Sequence, residues 1–127
     1  MIPRSLVSIG VDVRLRPSLA ERAAGRALVI DYFASRRCGV VVGDLTAGFV
    51  GQPPAARNYA ELASIEGVPV FAHRLLLSLL RDAQPGLIEA GPVFARHLAV
   101  RLEQPERWLD FLEQPGAIAG KRGVTLW

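Results

Sequence analysis

Several residue types that mark specialised protein classes are scarce in this chain. Cysteine occurs once, at Cys38, so no disulfide can form within the chain and a reducing compartment is favoured. Apolar runs are short as well: polar or charged residues interrupt the longest ones, at 40–50 and 68–80, and neither approaches the roughly 18 apolar residues of a membrane span. The sequence therefore predicts a soluble protein that does not span a membrane.

Lysine is nearly absent, and the basic residues are spread along the chain. Lys121 is the single lysine, and 15 basic residues against 12 acidic ones give a net charge of +3. Residues 1–60 hold the positive excess, but their arginines form neither a basic stripe nor a pattern interleaved with aromatic side chains. This distribution does not favour nucleic-acid binding.

The composition also excludes disorder and fibrous structure. Half of the residues are hydrophobic and 21% are charged, whereas a disordered chain combines low hydrophobicity with high net charge. Nine prolines break any long heptad pattern. We therefore expect one globular domain over residues 1–127.

The first part of the chain does not have the pattern of a signal peptide. Asp12, Arg14 and Arg16 interrupt the apolar stretch that begins at Leu6, whereas a signal peptide has an unbroken apolar segment. Together with the lone cysteine, this pattern predicts a cytoplasmic protein.

Hydrophobic periodicity predicts a strand and then a short helix at the start of the chain. Apolar and polar residues alternate over 6–15, which is typical of a half-buried strand. Ser18 and Glu21 have the spacing of a capping box. We expect a helix from Ser18 to Ala24, with Gly25 as its left-handed end.

An antiparallel hairpin is predicted next. Residues 27–34 and 39–49 are apolar and rich in β-branched side chains, and residues 35–38 join them. The stretch 50–58 contains two consecutive prolines, which is typical of a loop.

A second hairpin follows this loop. Residues 59–65 and 68–73 flank Glu66 and Gly67, a two-residue turn in which glycine can adopt a positive φ. Proline cannot donate to a strand ladder, so Pro69 indicates an edge strand or a position without a ladder hydrogen bond.

The second half of the chain alternates helix and strand patterns. Leucines at helical spacing predict a core helix over 74–82 that ends at Pro85 and Gly86. Residues 87–90 and 94–103 indicate two more strands.

A last helix is predicted after Pro105, whose missing N–H is tolerated in a first helical turn. Trp108, Phe111 and Leu112 form its expected buried face, and Pro115 ends it.

This order of elements predicts the α+β class: a single domain with a largely antiparallel, mixed β-sheet and two to three short helices. Strands 27–34 and 40–49 are apolar on both faces. We expect one face to meet helices and part of the other to meet a second subunit, so the sequence predicts a homo-oligomer.

The sequence carries no strong catalytic or metal-binding motif. H-E-x-x-H, C-x-x-C, G-x-S-x-G and a strand-following G-x-G-x-x-G are all missing. Cys38 lies at a predicted turn beside Arg36 and Arg37, whose charges stabilise a thiolate. Cys38, His73 and His97 are the candidate metal ligands if the fold brings them together, because thiolate and imidazole suit zinc or iron.

Two aspartates interrupt apolar strands, Asp31 and Asp44. A buried carboxylate must be paired or neutral, so these residues are candidate acid–base groups. The alternatives are exposure to solvent or an ion pair with Arg14, Arg36 or Arg37. Tyr59, beside the predicted loop, is a further candidate for a residue that lines a site.

Two stretches resemble the HesB/IscA-like iron–sulfur carriers. Residues 26–39, R-A-L-V-I-D-Y-F-A-S-R-R-C-G, and residues 66–70 followed by a leucine-rich segment at 75–80 are similar in order and spacing to that family. The resemblance covers residues 18–90. It implies an α+β fold and a bound iron or iron–sulfur cofactor. The family also uses a cysteine pair near the C-terminus. Because this chain has a single cysteine, Cys38 is the one ligand that the resemblance carries over to it.

Three functions stay open at this point. The first is a non-catalytic protein that acts through self-association or partner binding, favoured because catalytic signatures are missing. The second is an iron or iron–sulfur protein that uses Cys38 from two or more subunits. The third is a small-molecule enzyme with an aspartate or histidine as general acid or base, and the sequence favours it least.

Overall fold

The computed structural model describes residues 9–114, whose strands form two mixed sheets. The elements in chain order are β1 (Gly10–Val11), α1 (Arg16–Ala23), β2 (Ala27–Arg37), β3 (Val40–Val50), β4 (Tyr59–Ile65), β5 (Val68–His73), α2 (Leu77–Ala83), β6 (Pro85–Ala90), β7 (His97–Leu102) and α3 (Glu106–Glu113). Short 3-10 turns at Arg74–Leu76 and Val93–Ala95 precede α2 and β7. This architecture confirms the predicted α+β class, although two sheets are present where the sequence suggested one.

The larger sheet has four strands in the order β3-β2-β5-β4. β2 pairs antiparallel with β3 along its whole length, and parallel with β5 as far as Ile30, which lies opposite Ala72. β4 and β5 form the second predicted hairpin. Because β5 pairs with β2 no further than Ile30, the distal half of the β2–β3 hairpin extends beyond the central strands as a two-stranded ribbon.

The smaller sheet has the order β1-β6-β7, with β1 parallel and β7 antiparallel to β6. Its buried face carries Leu87, Leu98 and Leu102, which join the core that the helices and the larger sheet share. An ion pair between Arg22 of α1 and Glu89 of β6 also joins the helix to this sheet.

Each helix contributes leucines or aromatic residues to one core. Leu19 of α1 and Leu80 of α2 are fully buried, and so are Leu28 and Ile30 of β2. Apolar burial of this kind is the main stabilising term in folding, at roughly 25 cal/mol per Å². None of the helices within residues 9–114 has the length and apolar character that a bilayer span requires.

The predicted strand over 6–15 is wrong beyond Val11. The carbonyl of Asp12 accepts the N–H groups of Leu15 and Arg16, and its carboxylate accepts the N–H of Arg14, so the chain turns at Asp12. Val13 is consequently 81% exposed while Leu15 is buried. Residues 6–8 lie outside the described part of the chain.

The predicted capping box is also wrong. α1 begins at Arg16, with Pro17 in its first turn, so Ser18 lies inside the helix and its hydroxyl donates to the carbonyl of Leu15. Proline is tolerated early in a helix because the first N–H groups have no intrahelical acceptor. The helix ends at Ala23, and Ala24 and Gly25 both adopt a positive φ.

Both hairpins are confirmed, and in each a two-residue turn has positive φ at both positions. Glu66 and Gly67 form one turn, as predicted. Cys38 and Gly39 form the other, so this turn starts three residues later than the predicted connection at 35–38. Positive φ at both positions matches the right-handed strand twist. β5 is a central strand, so the edge-strand alternative for Pro69 is wrong. Pro69 lies one residue before β5 begins to pair with β2, so it occupies a position without a ladder hydrogen bond.

The C-terminal elements are confirmed with shifted bounds. The predicted helix over 74–82 is a 3-10 turn followed by α2, and it ends at a left-handed Gln84, because Pro85 begins β6. The predicted strand over 94–103 starts at His97, since a 3-10 turn holds Phe94 almost entirely in solvent. In α3, Phe111 and Leu112 are buried and Trp108 is partly buried; Pro115 lies beyond residue 114.

Candidate functional site

The two faces of the β2–β3 ribbon differ sharply in exposure. We define the ribbon as residues 32–37 and 40–45. On β3, exposed positions alternate with buried or half-buried ones, and on β2 the exposed Phe33 lies between the buried Tyr32 and Ala34. The two strands are in register, with Phe33 opposite Asp44. The ribbon therefore has an inner face toward the core and an outer face toward solvent.

Helix α3 covers the inner face of the ribbon. The rings of Tyr32 and Phe111 make an edge contact with centroids 5.0 Å apart, and Trp108 stacks on Phe111 at 5.4 Å. The indole N–H of Trp108 donates to the carbonyl of Gly43 at 3.3 Å. Gly43 allows this close approach because it has no side chain between the strand and Leu112.

The outer face of the ribbon carries a group of exposed apolar side chains. Phe33 is 50% exposed, Val40 60% and Val42 39%. Single exposed apolar residues are ordinary on a protein surface, but a contiguous group marks an interaction site. We call Phe33, Val40 and Val42 the outer patch.

A charged residue, Asp44, borders the outer patch. It lies opposite Phe33 near the base of the ribbon, where its carboxylate accepts the N–H of Leu45. Arg36 is exposed next to the turn but lies opposite Val41, on the side of the inner face. Neither residue takes part in an ion pair with the side chains that the structure describes. The expected pairing of Asp44 with Arg14 or Arg36 is therefore not found.

Asp31 lies at the base of the ribbon and is hydrogen-bonded to Tyr59. The Tyr59 hydroxyl donates to Oδ2 of Asp31 at 2.5 Å, and the N–H of Tyr32 donates to Oδ1 at 2.8 Å. These two residues were separate candidates in the sequence, 28 positions apart. The structure brings them together because β5 places Tyr59 of β4 two strands away from β2.

His73 closes this cluster. Its ring makes edge contacts with Tyr59 at 5.2 Å and with Tyr32 at 5.7 Å, and its Nδ1 accepts the N–H of Leu75 at 3.2 Å. The side chain is 7% exposed. The imidazole therefore belongs to the end of β5 and to an aromatic cluster, where it orders the chain into the following 3-10 turn.

Both tyrosines of the cluster are held in the neutral form. Burial, and next the charge of Asp31, raises the pKa of Tyr32 to about 12. Burial, followed by the hydrogen bond to Asp31 and then by its charge, raises the pKa of Tyr59 to about 12. A general base works best with a pKa near the operating pH, so this arrangement favours a structural role for the tyrosines over an acid–base role.

The predicted metal ligands lie in three different places. Cys38 is exposed in the β2–β3 turn, His73 is buried at the end of β5, and His97 is exposed at the start of β7 in the smaller sheet. Between residues 9 and 114 no group of three or more His, Cys, Asp or Glu side chains is placed to hold a metal ion. Cys38, His73 and His97 thus do not form a site within one copy, and a site shared between copies stays a prediction.

The outer patch was predictable in part from sequence. The apolar character of both faces of strands 27–34 and 40–49 indicated an exposed apolar face. Which half of the hairpin has no neighbouring strand beside β2 depends on where β5 stops pairing with β2. The Asp31–Tyr59 bond had no signal in the sequence, because it depends on a parallel pairing between strands of different hairpins.

Comparisons with models of protein families, with curated proteins and with solved structures found no match.

Proposed function

We propose that this protein acts through self-association, and that the outer patch of one copy packs against the outer patch of a second. The observation that carries this proposal is the exposure of Phe33, Val40 and Val42 side by side on a ribbon whose other face is already covered by α3. Removing apolar surface from water is the main driving force for association.

The shape of the patch fits a second sheet face. The ribbon is a two-stranded antiparallel surface, and two such surfaces pack face to face about 10 Å apart with interdigitating side chains. Homodimers with two-fold symmetry are the commonest oligomers, and in them the same patch lies on both sides of the interface. A second copy supplies an apolar sheet face of matching size.

A single substitution in the patch tests the proposal. We expect Phe33→Asp to weaken dimerisation at least tenfold, because a carboxylate replaces the one aromatic ring of the outer patch, and 1.4 kcal/mol corresponds to tenfold in affinity. The measurement is sedimentation equilibrium over a concentration series. Phe33 is half exposed in one copy, so circular dichroism is expected to show an unchanged fold.

Phe94→Asp is the matched control, because Phe94 is 91% exposed and belongs to the connection within the smaller sheet. This variant is expected to retain the wild-type dimerisation constant. A wild-type chain that stays monomeric at high concentration would overturn the proposal, and equal loss in both variants would place the interface elsewhere.

A further inference from the structure

A second concave surface lies on the smaller sheet, away from the outer patch. It is a cavity of about 400 Å³ on the face opposite the core, between β1, β6 and β7. Small-molecule sites have volumes of about 300–1,000 Å³. The size is therefore sufficient for a small metabolite.

Two glycines create the floor of this cavity. Gly10 lies opposite Gly86, and Gly86 lies opposite Arg101 on the next strand, so the three residues form one row across the sheet. A Cβ at Gly10 or Gly86 would make ordinary contacts of 3.8–3.9 Å, and neither residue has a positive φ. The fold thus tolerates a side chain at both positions, although glycine weakens a strand. Glycine within a strand often marks a place where a ligand approaches the backbone closely.

Polar side chains of both signs surround this floor. Arg101 stands on one side, with Glu103, Asp12 and Gln84 at the rim. Arg101 and Glu103 lie two residues apart on one face of the chain, yet they do not pair with each other, and neither side chain has a hydrogen-bond or ion-pair partner among residues 9–114. The guanidinium and the carboxylate are therefore both available to a ligand.

Apolar residues complete the lining. Leu87 is fully buried beneath the cavity, and Pro85 and Ile88 are at least partly buried beside it. The backbone here is well held, because the N–H of Glu103 donates to the carbonyls of Ala83 and Gln84. A cavity with a small apolar part and a few convergent polar groups has the usual form of a ligand site.

The geometry points to a small zwitterion, an α-amino acid, as the ligand of this cavity. Arg101 presents a planar set of donors that matches a carboxylate in a bidentate way. The carboxylate of Glu103, two residues from Arg101 along the chain, is the acceptor for the α-ammonium group. The glycine floor lets the short ligand lie against the strand backbone, and the side chain of the amino acid meets Ile88.

The experiment titrates alanine into the full-length protein and follows the backbone amide signals of Gly10 and Gly86 by NMR. Acetate and methylamine are titrated separately, because each carries one of the two charges of the zwitterion. We expect saturable shifts with alanine, and binding at least tenfold weaker for acetate and for methylamine. Acetate binding as tight as alanine binding would overturn the assignment to a zwitterion.

Two variants assign the effect to the cavity. Arg101→Gln is expected to weaken alanine binding at least tenfold, whereas Arg81→Gln on α2, which lies outside the cavity, leaves it unchanged. Gly86→Ala fills the floor with ordinary contacts and is expected to abolish binding, with Gly51→Ala as the control, since a Cβ there meets nothing within 4 Å. Absence of alanine-dependent shifts, or equal binding by Arg101→Gln, would overturn the proposal.

Discussion

Gly43→Ala is expected to destabilise the fold by about 3 kcal/mol, near the upper end for overpacking a well-packed site. A Cβ at this position would lie 2.2 Å from the carbonyl oxygen of Phe33 and 3.2 Å from Leu112. The first of these atoms belongs to the backbone of the paired strand β2, so that clash is relieved only if the hairpin opens at this position. Urea denaturation followed by circular dichroism measures the loss.

Gly48→Ala is the matched control, five positions along the same strand. Gly48 is exposed, and a Cβ there meets nothing within 4 Å. Alanine also restricts the unfolded chain more than glycine does, which stabilises a protein by about 0.4–1 kcal/mol where the backbone conformation is compatible. Equal stability of the two variants would contradict the close approach of the β2 backbone and Leu112 to Gly43.

The second large effect is on tyrosine ionisation. The chain has two tyrosines, so the absorbance of tyrosinate near 295 nm reports Tyr32 and Tyr59 alone. We expect the folded protein to titrate near pH 12 for both groups, and the urea-unfolded chain to titrate near the ordinary value of about 10. The shift of about two pH units is a hundredfold change in the ionisation constant.

These raised pKa values make stability depend on alkaline pH. The folded chain holds both tyrosine protons more tightly than the unfolded chain, so the unfolded state binds fewer protons between about pH 10 and 12. The stabilising contribution is complete below pH 10 and is lost as the pH rises through this window. The urea midpoint is therefore expected to fall between pH 10 and pH 12.

Asp31→Asn separates the causes of the two shifts. Asp31 contributes its charge at both tyrosines and also accepts the hydrogen bond of Tyr59. The variant is therefore expected to lower the pKa of Tyr59 more than that of Tyr32, while burial keeps both above 10. Asp44→Asn is the control and should leave both titrations unchanged; if it lowers them as much as Asp31→Asn does, the assignment to Asp31 is wrong.

Local patterns predicted most of the secondary structure. The position of Glu66 and Gly67 between residues 59–65 and 68–73 identified a hairpin, because turn chemistry acts over a few residues. The spacing of Phe111 and Leu112 identified the buried face of α3 in the same way. These features all depend on interactions between residues that are close together in the sequence.

Failures occurred where a polar side chain or a distant strand overrode a local pattern. The alternation through Val13 suggested a longer strand, but the hydrogen bonds made by Asp12 end it. Ser18 has the spacing of a cap and yet lies inside α1, because Pro17 lets the helix begin earlier. Phe94 fits a strand pattern, whereas in the fold it lies in an exposed turn.

The candidate site was the least predictable feature. The outer patch depends on β5 ending its pairing with β2 at Ile30, and the partner of Asp31 depends on the same pairing. Sequence alone could assign neither, since the contact between β2 and β5 joins segments about 40 residues apart. The sequence did indicate the excess of apolar strand surface from which the proposed association follows.

The most direct test of self-association is an isotope-filtered NOE experiment on a mixture of ¹³C-labelled and unlabelled protein. The filter records contacts between copies and removes those within one copy. Self-association through the outer patch predicts intermolecular NOEs from the Phe33 ring to the methyl groups of Val40 and Val42. A dimer whose intermolecular NOEs involve Phe94 or Val93 instead, or a sample without intermolecular NOEs at concentrations where the wild-type chain is dimeric, would contradict it.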